Sequence, residues 1–353
     1  LVRIKNLRFF AGSKKIRVFP ADERTAMHAT AADPLIRMEK MATAFYLTND
    51  LPNILVVPPE ALLEKLPSVK ALQKHAQLLI KGEKINREQL IRSLVILGYT
   101  KVPTVLDRGA FAVRGSIIDI FINGEEHPCR LDLFGDEIDS IRYFDEITQR
   151  NMHALDSIIV GDVKEVILDD ESKTLAEEKL QNLADALNYP TIKLNEKLKD
   201  INSGIHFYGI EKLMPAFYEK QASLLELLKA YKKEERPLLI FDDKEAIFSE
   251  LKRFSESVLK LHEQSLLRQE LLFPVDDYFL SFNELEKYLA EFSSVNISSF
   301  IKKEDAKSFD SKSTEDIRQD ILKASTTISK DEEPHLLKPL ADRLKKLLKD
   351  HFT

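Results

Sequence analysis

The chain has 353 residues, enough for two or three domains, and its 44% hydrophobic and 31% charged composition excludes a disordered chain. Its 52 basic and 58 acidic side chains are intermixed and leave a formal net charge of -6, which argues against a protein whose main task is gripping a phosphate backbone. No apolar run approaches the roughly 20 residues a bilayer span needs, and the single cysteine allows no internal disulfide, which fits a reducing, cytoplasmic setting.

In chain order, "KKIRVFPA" reads as a strand ending at Pro20. It comes too early for a complete domain to precede it, so the chain is expected to begin inside a larger protein. The helix "DPLIRMEKMATAFYLT", the β-rich run "NILVVPPEALLEKL" and a further short helix follow. A helix between two apolar strand-like runs is the signature of a parallel α/β layer, whose first part is placed at residues 1–79. "KINREQLIRSLVILGYT" is a helix stopped by Gly98. It feeds a compact α+β unit over 80–158. "DSIIVGDVKEVIL" reads as a strand pair, the acidic "DDESKTLAEEKLQNLADALNY" as helix, and "PLLIFDD" and "YFLSF" as strands. These place the second part of the α/β domain at 159–308. The charged, serine-rich "KKEDAKSFDSKSTED" reads as a linker and "PHLLKPLADRLKKLLKDHFT" as an amphipathic helix, giving a helical C-terminal segment over 309–353.

Within the middle unit, residues 108–145 hold four of the chain's 10 glycines, at 109, 115, 124 and 135. Glycine spacing of this kind punctuates short strands and predicts a three-stranded antiparallel meander. "FAVRGSIIDIF" supplies the first strand, with Gly115 as a bulge, "CRLDLF" the second and "IDSIRYF" the third. Alternation in the second strand puts Cys129, Leu131 and Leu133 on the core side and Arg130, Asp132 and Phe134 on the open side. A single exposed aromatic is ordinary on a protein surface, so alternation alone leaves an incidental Phe and a docking anchor both open.

Chemistry-bearing motifs are scarce. No phosphate-binding loop of the form GxxxxGK[ST] and no dinucleotide fingerprint occurs, the eight histidines never fall at ligand spacing, and Cys129 lies on the core face. Asp132, Asp136, Glu137 and Asp139 read as hairpin-turn acids, with no EF-hand spacing. These observations point to a binding module that is not an enzyme and implies no cofactor.

"RGAFAVRGSIIDIF", "EEHPCRLDLFGDEIDSIRYFD" and the following "TQR" resemble the second domain of the excision-repair subunit UvrB, and more closely its counterpart in the N-terminal UvrB-homology region of the transcription-repair coupling factors of the Mfd type. "LRFF", "ILVVPPEALLEKLP", "LGYTKV", "GIHFYGIEKLMPAFYEKQASLLELL" and "PLLIFDD" extend the resemblance, which is dense over 45–160, patchier to 290 and faint beyond. It implies an α/β architecture: a degenerate helicase-like parallel-sheet domain without a working ATP site, into which the small α+β meander domain is inserted. It further implies that the inserted domain recruits UvrA through positions matching Arg114, Arg130 and Phe134. Asp132, which alternation places between Arg130 and Phe134 on the same face, is expected to orient Arg130. In the family this surface is masked by distant C-terminal domains, and contacts to RNA polymerase and DNA belong to segments whose signatures are absent here. The alternative is a piece of a UvrB-like DNA-engaging repair helicase.

Overall fold

The computed structural model describes residues 16–20, 27–28, 33–49, 54–230 and 237–297. Contacts divide the chain after Ile297. The linker and terminal helix expected beyond that point lie outside the described residues.

The chain begins as a mixed α/β layer: β1 (Ile16–Val18), α1 (Pro34–Asn49), β2 (Ile54–Val56), β3 (Lys65–Pro67), α2 (Val69–Lys74) and β4 (Gln77–Ile80). A second region follows: α3 (Arg87–Ile96), β5 (Thr100–Lys101), β6 (Ala110–Arg114), β7 (Ile117–Ile120), β8 (Cys129–Phe134), β9 (Glu137–Phe144), β10 (Asn151–Leu155) and β11 (Ser157–Val160). The chain then returns to helices and short strands: α4 (Asp170–Leu187), α5 (Thr191–Asn202), β12 (Gln221–Ser223), α6 (Leu224–Ala230), β13 (Leu239–Asp242), α7 (Lys244–Leu267), α8 (Phe282–Leu289) and β14 (Ser294–Ile297).

Among the described residues, parallel pairing is confined to three pairs, β1 with β2, β13 with β14, and β5 with β6. The first two belong to the layer whose core holds Phe19, Met41, Leu47, Leu63 and Leu66. From Lys40 to Thr48, α1 is buried nearly all round because it is shared. Met41, Ala44 and Leu47 join the α/β core, while Met38 packs against the core of the middle region. The middle region enters through β4 and leaves through β11, which pair antiparallel from Gln77 with Val160 to Ile80 with Ser157. Entry and exit are thereby held side by side, which is the geometry an inserted domain requires. The Glu125 carboxylate adds a clasp, accepting from the Tyr46 hydroxyl of α1 and, at 2.7 Å, from Tyr143 of β9.

Between those crossings lies a six-stranded sheet in the order β10-β9-β8-β7-β6-β5. Asn86 caps α3, its side chain accepting from the Gln89 N–H at 2.9 Å. The helix then lays Leu90 and Leu94 onto the sheet face formed by Phe111, Ile118, Ile120, Cys129, Leu131, Leu133, Ile138 and Ile141. Burial of each such side chain contributes about 1.5–3 kcal/mol relative to exposure. Cys129 is fully buried on this face, and burial pushes its thiol up to about 12.

Several sequence expectations need correction. "FAVRGSIIDIF" is not one bulged strand but the hairpin β6–β7, in which Arg114 opposes Ile117 and Gly115 takes φ +59° at the first loop position. Positive φ there matches the twist of the flanking strands, and Gly135 does the same between Phe134 and Glu137. The bulge lies instead in β9, where Asp132 opposes Ser140 but Leu133 opposes Ile138, leaving Asp139 as the extra residue. The meander therefore has more than three strands. "DSIIVGDVKEVIL" supplies only β11; Val163, Val166, Ile167 and Leu168 are buried without a strand partner. "YFLSF" makes one isolated bridge, Phe279 with Glu64, and then gives way to α8, started by a capping box of Ser281 and Glu284.

Candidate protein-docking face

The sheet face opposite α3 is formed by alternate residues of four strands, with Arg114, Ile117, Asp132 and Ser140 in one cross-strand row. At one end Ala112, Phe121 and Phe144 are covered by Val102 and Val105 from the loop before β6. Toward the other end the same face is open, with Arg114 48% exposed, Arg142 40% and Phe134 83%.

Asp119 lies at the centre of this face and is 1% exposed. Its neighbour across β7–β8 is Arg130, whose Nε donates to Oδ1 at 2.7 Å and whose Nη2 donates to Oδ2 at 3.0 Å, a two-point fork. Arg114 Nη2 donates to the same Oδ2 at 2.8 Å. Gln149, in the loop between β9 and β10, stands in the left-handed region at φ +59°. Its Oε1 accepts from Arg130 Nη2 at 3.4 Å and Arg114 Nη2 at 3.5 Å, and its backbone carbonyl accepts from Arg130 Nη1 at 3.3 Å. Asn151 Oδ1 takes the remaining Nη1 proton of Arg130 at 3.2 Å. The guanidinium carbon also sits 4.4 Å from the centroid of the Phe144 ring. Arg130 is thus only 14% exposed, with all its N–H groups engaged internally. The Asp119 hydrogen bonds hold it more firmly cationic than a free guanidinium, against an opposing contribution from burial.

The loop that supplies Gln149 is itself fixed. Asp145 Oδ1 accepts from the Thr148 N–H at 2.6 Å and the Ile147 N–H at 3.2 Å, while Gln149 Nε2 donates to the Glu146 carbonyl at 2.7 Å. On the other flank, Arg87 of α3 donates to the Gly115 carbonyl at 2.7 Å, tying down the hairpin tip next to Arg114. Phe134 closes β8 at the second hairpin turn, its ring outside the packed face.

The structure therefore brings Arg114 and Arg130 together on one carboxylate and leaves Phe134 exposed on the same face. Two expectations change. The orienting role expected of Asp132 is filled by Asp119; Asp132 accepts from Ser140 Oγ at 3.2 Å and lies 3.6 Å from Arg142 Nη1. Arg130, expected as an open donor, is folded under the 145–151 loop. Asp119 was legible in principle, because reading Gly115 as a turn puts Ile118 and Ile120 inward and Asp119 outward. Gln149 belongs to the "TQR" stretch, to which residue types alone assign no role. No helix among the described residues is long and apolar enough to cross a membrane.

Residues 78–165, which contain this sheet and, but for Gln77, its two crossing strands, match the family model described as the UvrB interaction domain. That likeness gives the class for the middle region: residues 78–165 resemble a UvrB-type interaction domain, and a mixed α/β layer lies on either side of them in the chain. The chain is similar to transcription-repair-coupling factors: 32% identical over 295 residues to that of Myxococcus xanthus, covering 81% of this chain and 24% of that protein. It is also 31% identical over 242 residues to the Bacillus subtilis factor, covering 65% of this chain and 20% of that one. For the Escherichia coli factor the figures are 29% over 181 residues, 51% and 15%. The chain thus spans at most about a quarter of the length of these relatives. The resemblance read from the sequence, to the N-terminal UvrB-homology region of Mfd-type factors, is borne out.

Proposed function

We propose that this chain recruits UvrA through the outer face of its six-stranded sheet, as the non-catalytic part of a transcription-repair coupling factor that links stalled transcription to nucleotide excision repair. The observation that carries the reading is Phe134, 83% exposed at a hairpin tip on the same face as the half-exposed Arg114. An aromatic anchor and an arginine on ordered strands are the residue types that dominate binding hot spots. Similarity to coupling factors and the match to an interaction domain support the choice of partner.

The surrounding layer, with its parallel pairs β1–β2 and β13–β14, is read as the degenerate helicase-like domain, in two parts at 1–79 and 159–308 around an insert at 80–158. Contacts with RNA polymerase and DNA, and masking of the docking face by C-terminal domains, are assigned to parts of the relatives beyond the portion this chain matches. Titration of UvrA against the chain tests the reading. Phe134→Ala should weaken binding by about 2 kcal/mol and Arg114→Ala by a comparable amount. Unchanged affinity in both variants would overturn it.

A further inference from the structure

Arg130 and Arg114 share one carboxylate oxygen but differ in what they have left to offer. Arg130 has given each N–H to Asp119, Gln149 or Asn151. Arg114 uses Nη2 alone among the described residues, which leaves its Nε and second terminal nitrogen uncommitted there, on a side chain half in solvent. Two guanidiniums against the single Asp119 carboxylate also leave the cluster with one uncompensated positive charge.

We infer that Asp119 and Gln149 are positioning residues of the docking face: with Arg130 as an immobile pillar, they fix Arg114 as the arm that meets the partner. This rests on the UvrA-docking reading and assigns, within it, which arginine reaches the partner. The chemistry it fits is a carboxylate on the partner beside an apolar hollow for Phe134. An unrestrained arginine would lose rotamer freedom on binding, whereas one already held by Asp119 and Gln149 loses that freedom on folding. Gln149 takes a backbone conformation unfavourable for a side chain of its type in order to turn its amide oxygen toward both guanidiniums. Asp119, buried between β6 and β8, cannot itself touch a partner. Any effect it has on binding must pass through the arginines.

A double-mutant cycle read as UvrA affinity tests this. Asp119→Asn keeps the shape and removes the charge. Gln149→Asn tolerates the left-handed backbone and shortens the reach. Each should lower affinity about tenfold, while near-ultraviolet circular dichroism stays native. In an Arg114→Gln background each should cost less than about twofold further. A purely structural role would give losses that add in full, and that result, or unchanged affinity in both single variants, overturns the inference. Should Asp119→Asn fail to fold, the Gln149→Asn cycle decides alone. No binding by the unaltered chain would remove the docking reading and this inference together. Binding that Phe134→Ala weakens but Gln149→Asn does not would remove this inference only.

Discussion

The two faces of the six-stranded sheet are made by the same strands and built on opposite principles. Toward α3, β7 and β8 present Ile118, Ile120, Cys129, Leu131 and Leu133, all buried in one continuous cluster. Away from it, the alternate residues Asp119, Arg130 and Asp132 form an ionic lattice with Arg114 and Arg142. The first face gains stability from apolar area removed from water. The second has to offset the desolvation of its charges, and partly buried ion pairs are weak contributors to stability. What they do supply is direction: a forked guanidinium fixes angles as well as distance. The inner face holds the sheet together and the outer face holds side chains in place.

That contrast is broken most severely from inside. Leu131→Ala should lower stability by about 2–5 kcal/mol, the range for deleting a fully buried leucine. Chemical denaturation followed by hydrogen exchange within residues 110–144 should locate the loss in the six-stranded sheet. A value under about 1 kcal/mol would mean that α3 does not seal this face. The next effect comes from the ionic side. Arg130→Ala removes the fork and the stacking on Phe144 and leaves the buried Asp119 with Arg114 as its one cation, so a loss of about 1–3 kcal/mol is expected. An unchanged melting midpoint in Arg130→Ala would return Arg130 to the role of an open donor.

Alternation in "CRLDLF" placed all six side chains of β8 on the correct sides, because one face is buried and a one-residue slip would invert every one of them. It could not tell what lies above each side. The cover over Arg130 comes from residues distant in sequence, through an Asp145 turn and a left-handed Gln149, and no local pattern announces that return. The glycine at 115 was ambiguous for a related reason: a bulge and a two-residue turn both interrupt alternation with positive φ. Only the register, Val113 with Ile118 and Arg114 with Ile117, decides between them. The capping box at Ser281 and Glu284 is written in the sequence as S-x-x-E, and it ends the extended "YFL" before a strand can continue through Ser281 and Phe282.

Ion pairs elsewhere sharpen the contrast, since at the junction they bind elements together. Asp169 caps α4 and accepts from Lys74 Nζ at 2.7 Å and His75 Nε2 at 2.6 Å, joining the end of α2 to the start of α4. Burial alone would raise its carboxyl, but these hydrogen bonds outweigh it and hold the group well below 3.8. A carboxyl lowered in the folded state contributes stability that is complete above its ordinary value and is lost as pH falls through the folded one. Stability of the junction should therefore decline as pH drops below about 3.8, and Asp169→Asn should flatten that decline in acid denaturation profiles. An identical acid limb in the variant would assign the sensitivity to other carboxylates.

The smallest change in stability is expected where the largest change in binding is, at Phe134. Its ring touches little of the fold: Leu133 beside it is buried in the core and Gly135 makes the turn, so the hairpin is set without it. Phe134→Ala should shift stability by no more than about 0.5 kcal/mol, as for surface residues without structural partners. Such a ring gives up no packing when it leaves solvent for a hollow in another protein, so its apolar area is available in full to the complex. Thermal melting of the Phe134→Ala chain against the unaltered one separates the two roles. A loss comparable to that of Leu131→Ala would show that the ring is packed against the sheet, and would leave the outer face without its anchor.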